Sequence, residues 1–406
     1  MAIIKSLLDS DLYKLTQMQA VFHQFPKVEV KYKFVCRNDW DTVKSFPIEE
    51  IKKEIKKLTK LKFTNEEIEY LKSLNLFKED FLNYLKKFKL SFSAIKIDPS
   101  ESISSDLELT ISGLWLETIL FEVPVLAIIN ELYSRRYSES VLSWNIGVEK
   151  LCKNIKLINV NNAIKDKKIQ FIEFGTRRRY SFEWQEYVIK NLKKAVPENL
   201  IGTSNVYFAK KYNLKPIGTM AHEWIQAGLS FVPTKDAQIF MLDKWRMEYP
   251  DKLKTALTDT FGLDAFLNDF DKIFMEHYNG LRQDSGDPFE FINKVYNHYV
   301  NNGCDIKHQK LLFSDNLDFK LAYKILNYKP TLRYKKVREP INFDFDILFG
   351  IGTHLTNNLL IPPLNIVIKM VECNGQPVCK LSDSLGKEIC DDENYLNYVK
   401  EVFGKK

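Results

Sequence analysis

From about residue 168 onward the chain repeats one pattern: a short apolar run that ends in small or polar residues, followed by a stretch long enough for a helix. The run endings are EFGTRR (173–178), IGTSN (201–205), IGTMAH (217–222), LTDT (257–260), LRQDSGD (281–287), LFSDN (312–316) and LFGIGT (348–353), seven strand-to-loop junctions. Most precede an amphipathic helical pattern, as in 288–302 and 317–327. Repeated strand–helix units require parallel strands joined by right-handed crossovers, in a sheet either doubly wound or closed. Seven similar junctions favour closure into an irregular β/α barrel of about seven strands. A barrel carries its active site at the C-terminal ends of its strands. That is where this chain places Gly, Thr, Asp, Arg and His residues.

The first part of the chain reads differently. Residues 9–24 predict a helix, with Asp9 or Ser10 as its N-cap. Residues 27–36 alternate strictly, with Val28, Val30, Tyr32, Phe34 and Cys36 on one face and lysines and Glu29 on the other. That is a half-buried strand of an antiparallel sheet. Residues 48–88 predict two or three surface helices, the lysines between Lys52 and Lys62 forming a solvated face. Residues 105–111 alternate again. Residues 364–384 read as a hairpin with Asn374-Gly375 at its turn. The expected class is therefore α/β: helices with an antiparallel sheet over about the first 115 residues, then the repeated β/α units, with the 364–384 hairpin rejoining the N-terminal sheet.

Bulk properties narrow the function classes. Hydrophobic residues at 45% and charged residues at 28% describe a chain that folds rather than one that stays disordered. A net charge of +6 over 406 residues, with no dense basic arm, admits an anionic substrate but gives no reason to expect nucleic acid. The six cysteines show no C-x-x-C spacing, so reduced, dispersed thiols are expected. The most apolar stretch, Thr118 to Ile129, is broken by Glu122 and Pro124 and is shorter than the roughly 20 apolar residues a membrane helix needs. With no signal-peptide pattern at the N-terminus, the expectation is a soluble, cytoplasmic protein without a membrane partner.

The junctions carry the chemistry. Gly350, Gly352 and Thr353 form a turn where backbone N–H groups could approach a phosphate, although a glycine turn without a ligand fits equally well. Arg177, Arg178 and Arg179 follow a strand end, where arginine forks suit phosphate or carboxylate oxygens and burial in the core is not expected. A surface salt-bridge cluster is the plainer alternative. His222 stands between a threonine loop and an acid, where a neutral imidazole can act as base or as nucleophile toward a phosphoryl group. His23, His277, His298 and His308 read as surface or satisfied side chains, and His354 could approach a ligand beside the glycine turn. Asp284, Asp287, Asp315 and Asp318 bring carboxylates to neighbouring junctions. Carboxylates with arginines and a phosphate turn suggest a sugar phosphate with Mg²⁺. No zinc cluster and no G-x-x-x-x-G-K-[ST] loop is present.

The set DSDLYKLTQMQA, EFGTRRR, GTSN, GTMAHEW, LRQDSGDP, SDNLD and FGIGT resembles the nicotinate phosphoribosyltransferases in order and spacing, from Asp9 to about Asp383. The resemblance implies a type II phosphoribosyltransferase fold, an irregular β/α barrel of about seven strands beside an α/β sandwich domain with an antiparallel sheet: the sandwich at 1–135, the barrel catalytic domain at 136–355 and a C-terminal segment at 356–406 that rejoins the sandwich. It also implies transfer of the phosphoribosyl group from phosphoribosyl pyrophosphate to nicotinate, coupled to ATP, in NAD biosynthesis and salvage. His222 would be phosphorylated by ATP. Tyr13 and Phe174 would sandwich the pyridine ring. Arg282 and Thr219 would sit near the nicotinate carboxylate, with Asp284 toward the ribose. Arg177, Asp259, Asp315, Gly352 and Thr353 would hold ribose and phosphates. ATP and Mg²⁺ would be required, with no side-chain ligand of the metal assigned. Transfer would pass through an oxocarbenium-like ribosyl group, with acid oxygens stabilising the developing positive charge.

The nicotinamide-using cousins share this pattern but place Asp after the Gly-Thr of the second junction, where this chain has Ser204. A carboxylate there would repel nicotinate's own, so Ser204 favours the acid substrate. The nicotinamide enzyme is the alternative, and a barrel that senses phosphosugars without catalysis is the rival from another class. The resemblance also admits a homodimer, with the Tyr13 segment acting in cis or in trans. Helix packing is the plain role for Tyr13 and Met18, and Arg178 and Arg179 have no assigned role.

Overall fold

The computed structural model describes residues 2–38, 46–99, 107–137, 140–164, 167–307, 309–330, 345–384 and 386–405. His308 and residues 105–106 of the expected strand lie outside them. The strands are β1 (Glu29–Cys36), β2 (Ile95–Pro99), β3 (Leu107–Leu114), β4 (Phe171–Glu173), β5 (Leu200–Thr203), β6 (Thr255–Leu257), β7 (Gly280–Gln283), β8 (Lys310–Phe313), β9 (Asp346–Ile351), β10 (Ile366–Cys373) and β11 (Gln376–Pro377). The chain forms two compact units. The first comprises 1–168, 172–218 and 351–376; the second comprises 169–171, 219–350 and 377–406.

The first unit holds an antiparallel sheet in the order β11-β10-β1-β3-β2. β1 lies inside it, with Phe34 opposite Ile368 and Tyr32 opposite Ile111. Val30, Tyr32, Phe34 and Cys36 are buried, as the alternation requires. At the β10–β11 turn Asn374 (φ 50°) and Gly375 (φ 72°) both take the left-handed conformation that a two-residue hairpin demands. The lysine-rich stretch forms three helices, Ile48–Leu58, Asn65–Ser73 and Glu79–Leu85. Ile51, Ile55 and Leu58 face inward while Lys53, Lys56 and Lys60 are exposed, so the solvated face is real. Thr64 and Glu67 close a capping box at the start of the second of these helices. Among the described residues no helix is long and apolar enough to cross a membrane.

The first helix begins later than its sequence suggests. It spans Leu12–Gln24, and neither Asp9 nor Ser10 caps it; Asp11 occupies the N-cap position without a capping bond. Both aspartates are taken by tertiary partners instead. Asp9 receives Arg179, and Asp11 accepts from Ser204. A charge-assisted bond to a buried partner outweighs a local cap worth about 1 kcal/mol.

In the second unit β6, β7, β8 and β9 run parallel, each paired to the next, with Leu257 opposite Arg282, Arg282 opposite Leu312, and Leu312 opposite Leu348. Helix Pro288–Asn301 follows β7, started by Asp287, which accepts from Phe289 N (2.7 Å) and Glu290 N (2.8 Å), with proline in the first turn. Helix Phe319–Leu326 follows β8 and is capped by Asp318. Six of the seven junctions thus end a strand, giving the expected mixed α/β class. The junction at 217–222 follows no strand among the described residues. A single parallel bridge, Thr203 to Pro216, takes its place.

The expectation of uniformly reduced thiols is corrected: Cys379 and Cys390 form a disulfide. The cause is a lone antiparallel bridge, Lys380 to Ile389, whose ends bring the two flanking cysteines side by side with Cα atoms 4.7 Å apart. A spacing of eleven residues carries no such information until the loop between them closes.

Candidate functional site

In the first unit the expected residues gather around the ends of β4 and β5. After Glu173 the backbone of Phe174 donates to Ile351 O at 2.9 Å, drawing the glycine turn alongside it. A Cβ on Gly352 would stand 2.9 Å from Phe174 O, so packing alone already excludes a side chain there. Thr353 opens the one-turn helix Thr353–Thr356. Gly218 has a similar constraint, its Cβ position lying 2.8 Å from Tyr13 N. Tyr13 is buried on the helix that starts at Leu12, and Leu12 N donates to Ser204 O at 2.8 Å. The DSDLY and GTSN segments are therefore fastened together.

Ser204 does not simply leave room for an acid. Its hydroxyl donates to Asp11 Oδ1 at 2.7 Å, so a carboxylate from another segment stands beside it. Burial raises Asp11 above the usual carboxylate range, opposed by Arg177 and the Ser204 bond. Arg177 is about one-third exposed, with Nε 3.9 Å from Asp11 and Nη1 3.5 Å from Glu122. Glu122 also receives buried Lys14 at 2.5 Å; burial would raise its pKa, but Lys14, Arg177 and Lys369 draw it down to about 2.

The three arginines divide. Arg179 has no exposed surface, which corrects the expectation that none of them enters the core. Its fork meets Asp9 at 2.7 and 2.8 Å, and Nη1 also donates to Gln185 at 3.2 Å. A buried guanidinium is tolerated because a carboxylate matches it bidentately. Arg178 reaches Asn365 at 3.3 Å. Arg177 combines partial exposure with acidic neighbours. Beneath them Glu173 is fully buried, and burial pushes it up to about 7 although Thr203, Gly175 N and Gln185 all donate to it.

The second unit assembles a denser constellation. His222 begins the short helix His222–Ala227, and Thr219 lies three residues before it; both are buried. Asp259 stands two residues past β6, Asp284 one residue past β7 and Asp315 two past β8, so parallel pairing sets their spacing. His222 Nε2 is 3.1 Å from Asp259 Oδ1 and 3.7 Å from Asp284 Oδ2. Arg282, on β7, donates from Nη2 to Asp284 Oδ1 and from Nε to Ser314 Oγ, each at 2.9 Å. Burial would raise Asp284, but Arg282 first and His222 next hold it well below the usual carboxylate range. Asp259 is likewise held low against burial, by Lys380 and His222. Asp315 is raised by burial, with Lys387 Nζ at 2.6 and 2.8 Å pulling the other way.

Four participants in this cluster are not legible as site residues in the sequence. Lys380 Nζ lies 2.7 Å from His222 Nε2 and 3.1 Å from Asp259 Oδ2. Ser285 Oγ donates to Asp259 Oδ2 at 2.5 Å, Ser314 Oγ donates to Asp284 at 2.7 Å, and Lys387 holds Asp315. Ser285 and Ser314 sit inside junctions whose charged residues stand out more than their hydroxyls. Lys380's only trace is a lysine within the apolar run Val378–Leu381. His23 and His298 are satisfied by Asp80 and Phe270 O, as expected of them. Among the described residues no group of three or more His, Cys, Asp and Glu side chains is disposed to hold a metal ion. An imidazole flanked by an ionised acid and an ammonium is equipped for phosphoryl or proton transfer, and the Arg282 fork for recognition of a planar anion.

The pattern of the nicotinate phosphoribosyltransferase (NAPRTase) family matches residues 169–406, and that of its N-terminal domain matches 8–130. The chain is 44% identical to the nicotinate phosphoribosyltransferase of Ralstonia nicotianae over 403 residues, 99% of each chain. It is also 44% identical to that of Xylella fastidiosa, covering 99% of this chain and 98% of the relative. The crystal structure of nicotinate phosphoribosyltransferase from Vibrio cholerae superposes with a TM-score of 0.89 at 35% identity, covering 100% of this chain and 95% of that one. The corresponding structure from Porphyromonas gingivalis gives 0.87 at 31% identity, covering 99% and 100%. The chain thus belongs to the nicotinate phosphoribosyltransferase family.

Proposed function

We propose that this chain joins the ring nitrogen of nicotinate to C1 of phosphoribosyl pyrophosphate, releasing pyrophosphate and forming nicotinate mononucleotide for NAD biosynthesis, and that ATP drives the reaction through phosphorylation of His222. The family supports the transfer. The observation that supports the ATP step is the buried cluster of His222 with Asp259, Asp284 and Lys380. A neutral imidazole in such a setting attacks a terminal phosphoryl group: an N–P bond forms, the bridging P–O bond breaks, and the diphosphate leaves with the electron pair. The added charge and acceptor oxygens would then reorganise the surrounding lysine, arginine and carboxylates toward tight substrate binding.

The remaining roles follow the resemblance. Tyr13 and Phe174 stack on the pyridine ring. Arg282 and Thr219 take the nicotinate carboxylate, with Ser204 beside the ring. Arg177, Gly352 and Thr353 serve the phosphates, while Asp259, Asp284 and Asp315 serve the ribose and stabilise positive charge as the C1–pyrophosphate bond opens. No protein nucleophile is needed for the transfer, because the ring nitrogen attacks. Asp259, Asp284 and Asp315 each already face a cation, so they do not make a Mg²⁺ site by themselves. We assign the metal to the phosphate substrates and route no step through it. A cytoplasmic homodimer is part of the same proposal.

The test is His222→Asn. The expected result is loss of ATP stimulation with slow ATP-independent transfer retained, read as pyrophosphate release with and without ATP. Coupling that persists in the variant ends the phosphohistidine assignment. Supplying nicotinamide in place of nicotinate addresses the alternative base, and the expected result is no consumption of the amide.

A further inference from the structure

We propose that Cys379 and Cys390 are a reversible thiol–disulfide site, and that its oxidation state sets how firmly the stretch between them is held against the ends of β6, β7 and β8. The effect on turnover rests on the transferase reading above; the tether itself does not.

Strand register makes the pair. Lys380 and Ile389 face each other and exchange both backbone bonds, N to O at 3.0 Å each way. In an antiparallel ladder the position next to such a pair is a non-hydrogen-bonded one, where Cα atoms stand about 4.5 Å apart and side chains come closest. Cys379 and Cys390 occupy that position, with Cα atoms 4.7 Å apart. The Lys380–Ile389 bonds thus bring the two sulfurs together before they are joined. The separation lies inside the range of about 4.4–6.8 Å that a disulfide spans.

The two sulfurs differ in access. Cys379 has no exposed surface, whereas Cys390 is half-buried. A small thiolate therefore attacks Cys390 Sγ. A mixed disulfide forms, the Cys379–Cys390 bond breaks, and Cys379 leaves with the electron pair and takes up a proton. A second thiolate then attacks the reagent's sulfur, releasing Cys390 as a thiol and carrying away the oxidised reagent. One protein disulfide and two small thiols become two protein thiols and one small disulfide, and the reverse sequence restores the bond. In the cytoplasmic setting proposed above, a thiol pool keeps cysteines reduced, and a disulfide that forms there is usually transient or sensing.

The stretch between the cysteines touches each junction that bears a proposed substrate acid. Lys380 Nζ meets Asp259 Oδ2 at 3.1 Å, and Leu381 N donates to Thr260 O at 2.8 Å. Asp383 N donates to Ser285 Oγ at 2.9 Å, and Gly286 N to Ser384 Oγ at 3.0 Å, directly after Asp284. Lys387 Nζ holds Asp315 at 2.6 and 2.8 Å. The disulfide shuts the open end of this stretch across a sequence separation of eleven. Closing a ring of that size removes most conformations of the released stretch, which shifts the balance between held and released by about a hundredfold.

The experiment compares the full-length enzyme equilibrated with oxidised and with reduced dithiothreitol, its thiols counted by alkylation and mass. Hydrogen–deuterium exchange of peptides spanning 378–392 reads the tether, and initial rates of pyrophosphate release read turnover. The oxidised form is expected to show two fewer alkylated thiols and exchange slower by about ten- to a hundredfold at the amides of Leu381 and Asp383. Rate senses the balance only through the released population, so kcat/KM for phosphoribosyl pyrophosphate should fall less on reduction, about three- to tenfold, and return on re-oxidation. Cys390→Ser should exchange like the reduced form and lose its response to the redox buffer. Cys152 is exposed and Cys304 half-buried, and the variant separates the pair from them. Thiols that stay alkylatable in every buffer, equal exchange or equal rates in the two states, or a response that persists in Cys390→Ser overturns the proposal. Failure of the transferase reading shows itself separately, as no pyrophosphate release in either state while the exchange difference stands.

Discussion

Arg179→Met separates a core arginine from one proposed to bind substrate within a single motif. Arg179 and Asp9 have no exposed side-chain surface, and their fork closes at 2.7 and 2.8 Å. Methionine keeps much of the aliphatic volume but removes the cation. Asp9 then keeps the bond from Asn205 Nδ2 at 2.8 Å but no cation, and Glu131, which burial already pushes up to about 7, loses a cation 3.9 Å away. Removing one member of a buried pair costs about 3–5 kcal/mol, a rise of roughly a hundred- to several-thousandfold in the unfolded population. The assay is urea unfolding followed by tryptophan fluorescence, since Trp184 packs edge-on against Trp144 at 4.9 Å in the same unit. The expected outcome is a much lower unfolding midpoint with a phosphoribosyl pyrophosphate KM within about twofold of the parent enzyme for the folded fraction. Adding Asp9→Asn should restore most of the loss, because it removes the stranded charge. Arg177→Met should behave in the opposite way, raising that KM while leaving the midpoint nearly unchanged. An Arg179→Met variant that unfolds with the parent enzyme, or one that loses pyrophosphate-substrate affinity with an unchanged midpoint, refutes the reasoning.

Arg282→Ala is expected to raise the nicotinate KM about ten- to a hundredfold for each charge-assisted bond lost, with a much smaller effect on phosphoribosyl pyrophosphate; initial-rate kinetics in both substrates check it. Glu173→Gln tests burial of an acid. Because the folded pKa is raised to about 7 from 4.5, stability from the neutral form is fully present below about 4.5 and is lost as pH rises through about 7. The amide variant should lose that fall in urea midpoint between pH 4.5 and 7 and exceed the parent enzyme at pH 8, and an unchanged pH slope would count against it.

Elements whose residues answer to local rules were legible in advance. The alternation of β1, the amphipathic helices after residue 48 and the Asn374-Gly375 turn depend on neighbours a few positions away, whereas Asp287 and Asp318, read as junction carboxylates, turn out to cap the helices that follow. Candidate residues stood out where a strand end and a carboxylate coincide, as at Asp284 and Asp315, whereas His222 follows no strand among the described residues and Asp259 was named only through the resemblance. The helix start at Leu12 was not legible, because tertiary partners claimed Asp9 and Asp11. Nor was the carboxylate beside Ser204, since Asp11 comes from a segment almost two hundred residues earlier in the chain.

By itself, then, the sequence determined the α/β class, six of the seven junction positions and the family, since periodicity, turn chemistry and motif order are properties of short segments. Tertiary structure alone decided which of the three arginines is core, that Cys379 meets Cys390, and that Lys380 stands against His222 from 158 residues away. The physical reason is that a buried charge is stable only beside its counter-charge. Which partner supplies it depends on distance in space, which separation along the chain does not encode.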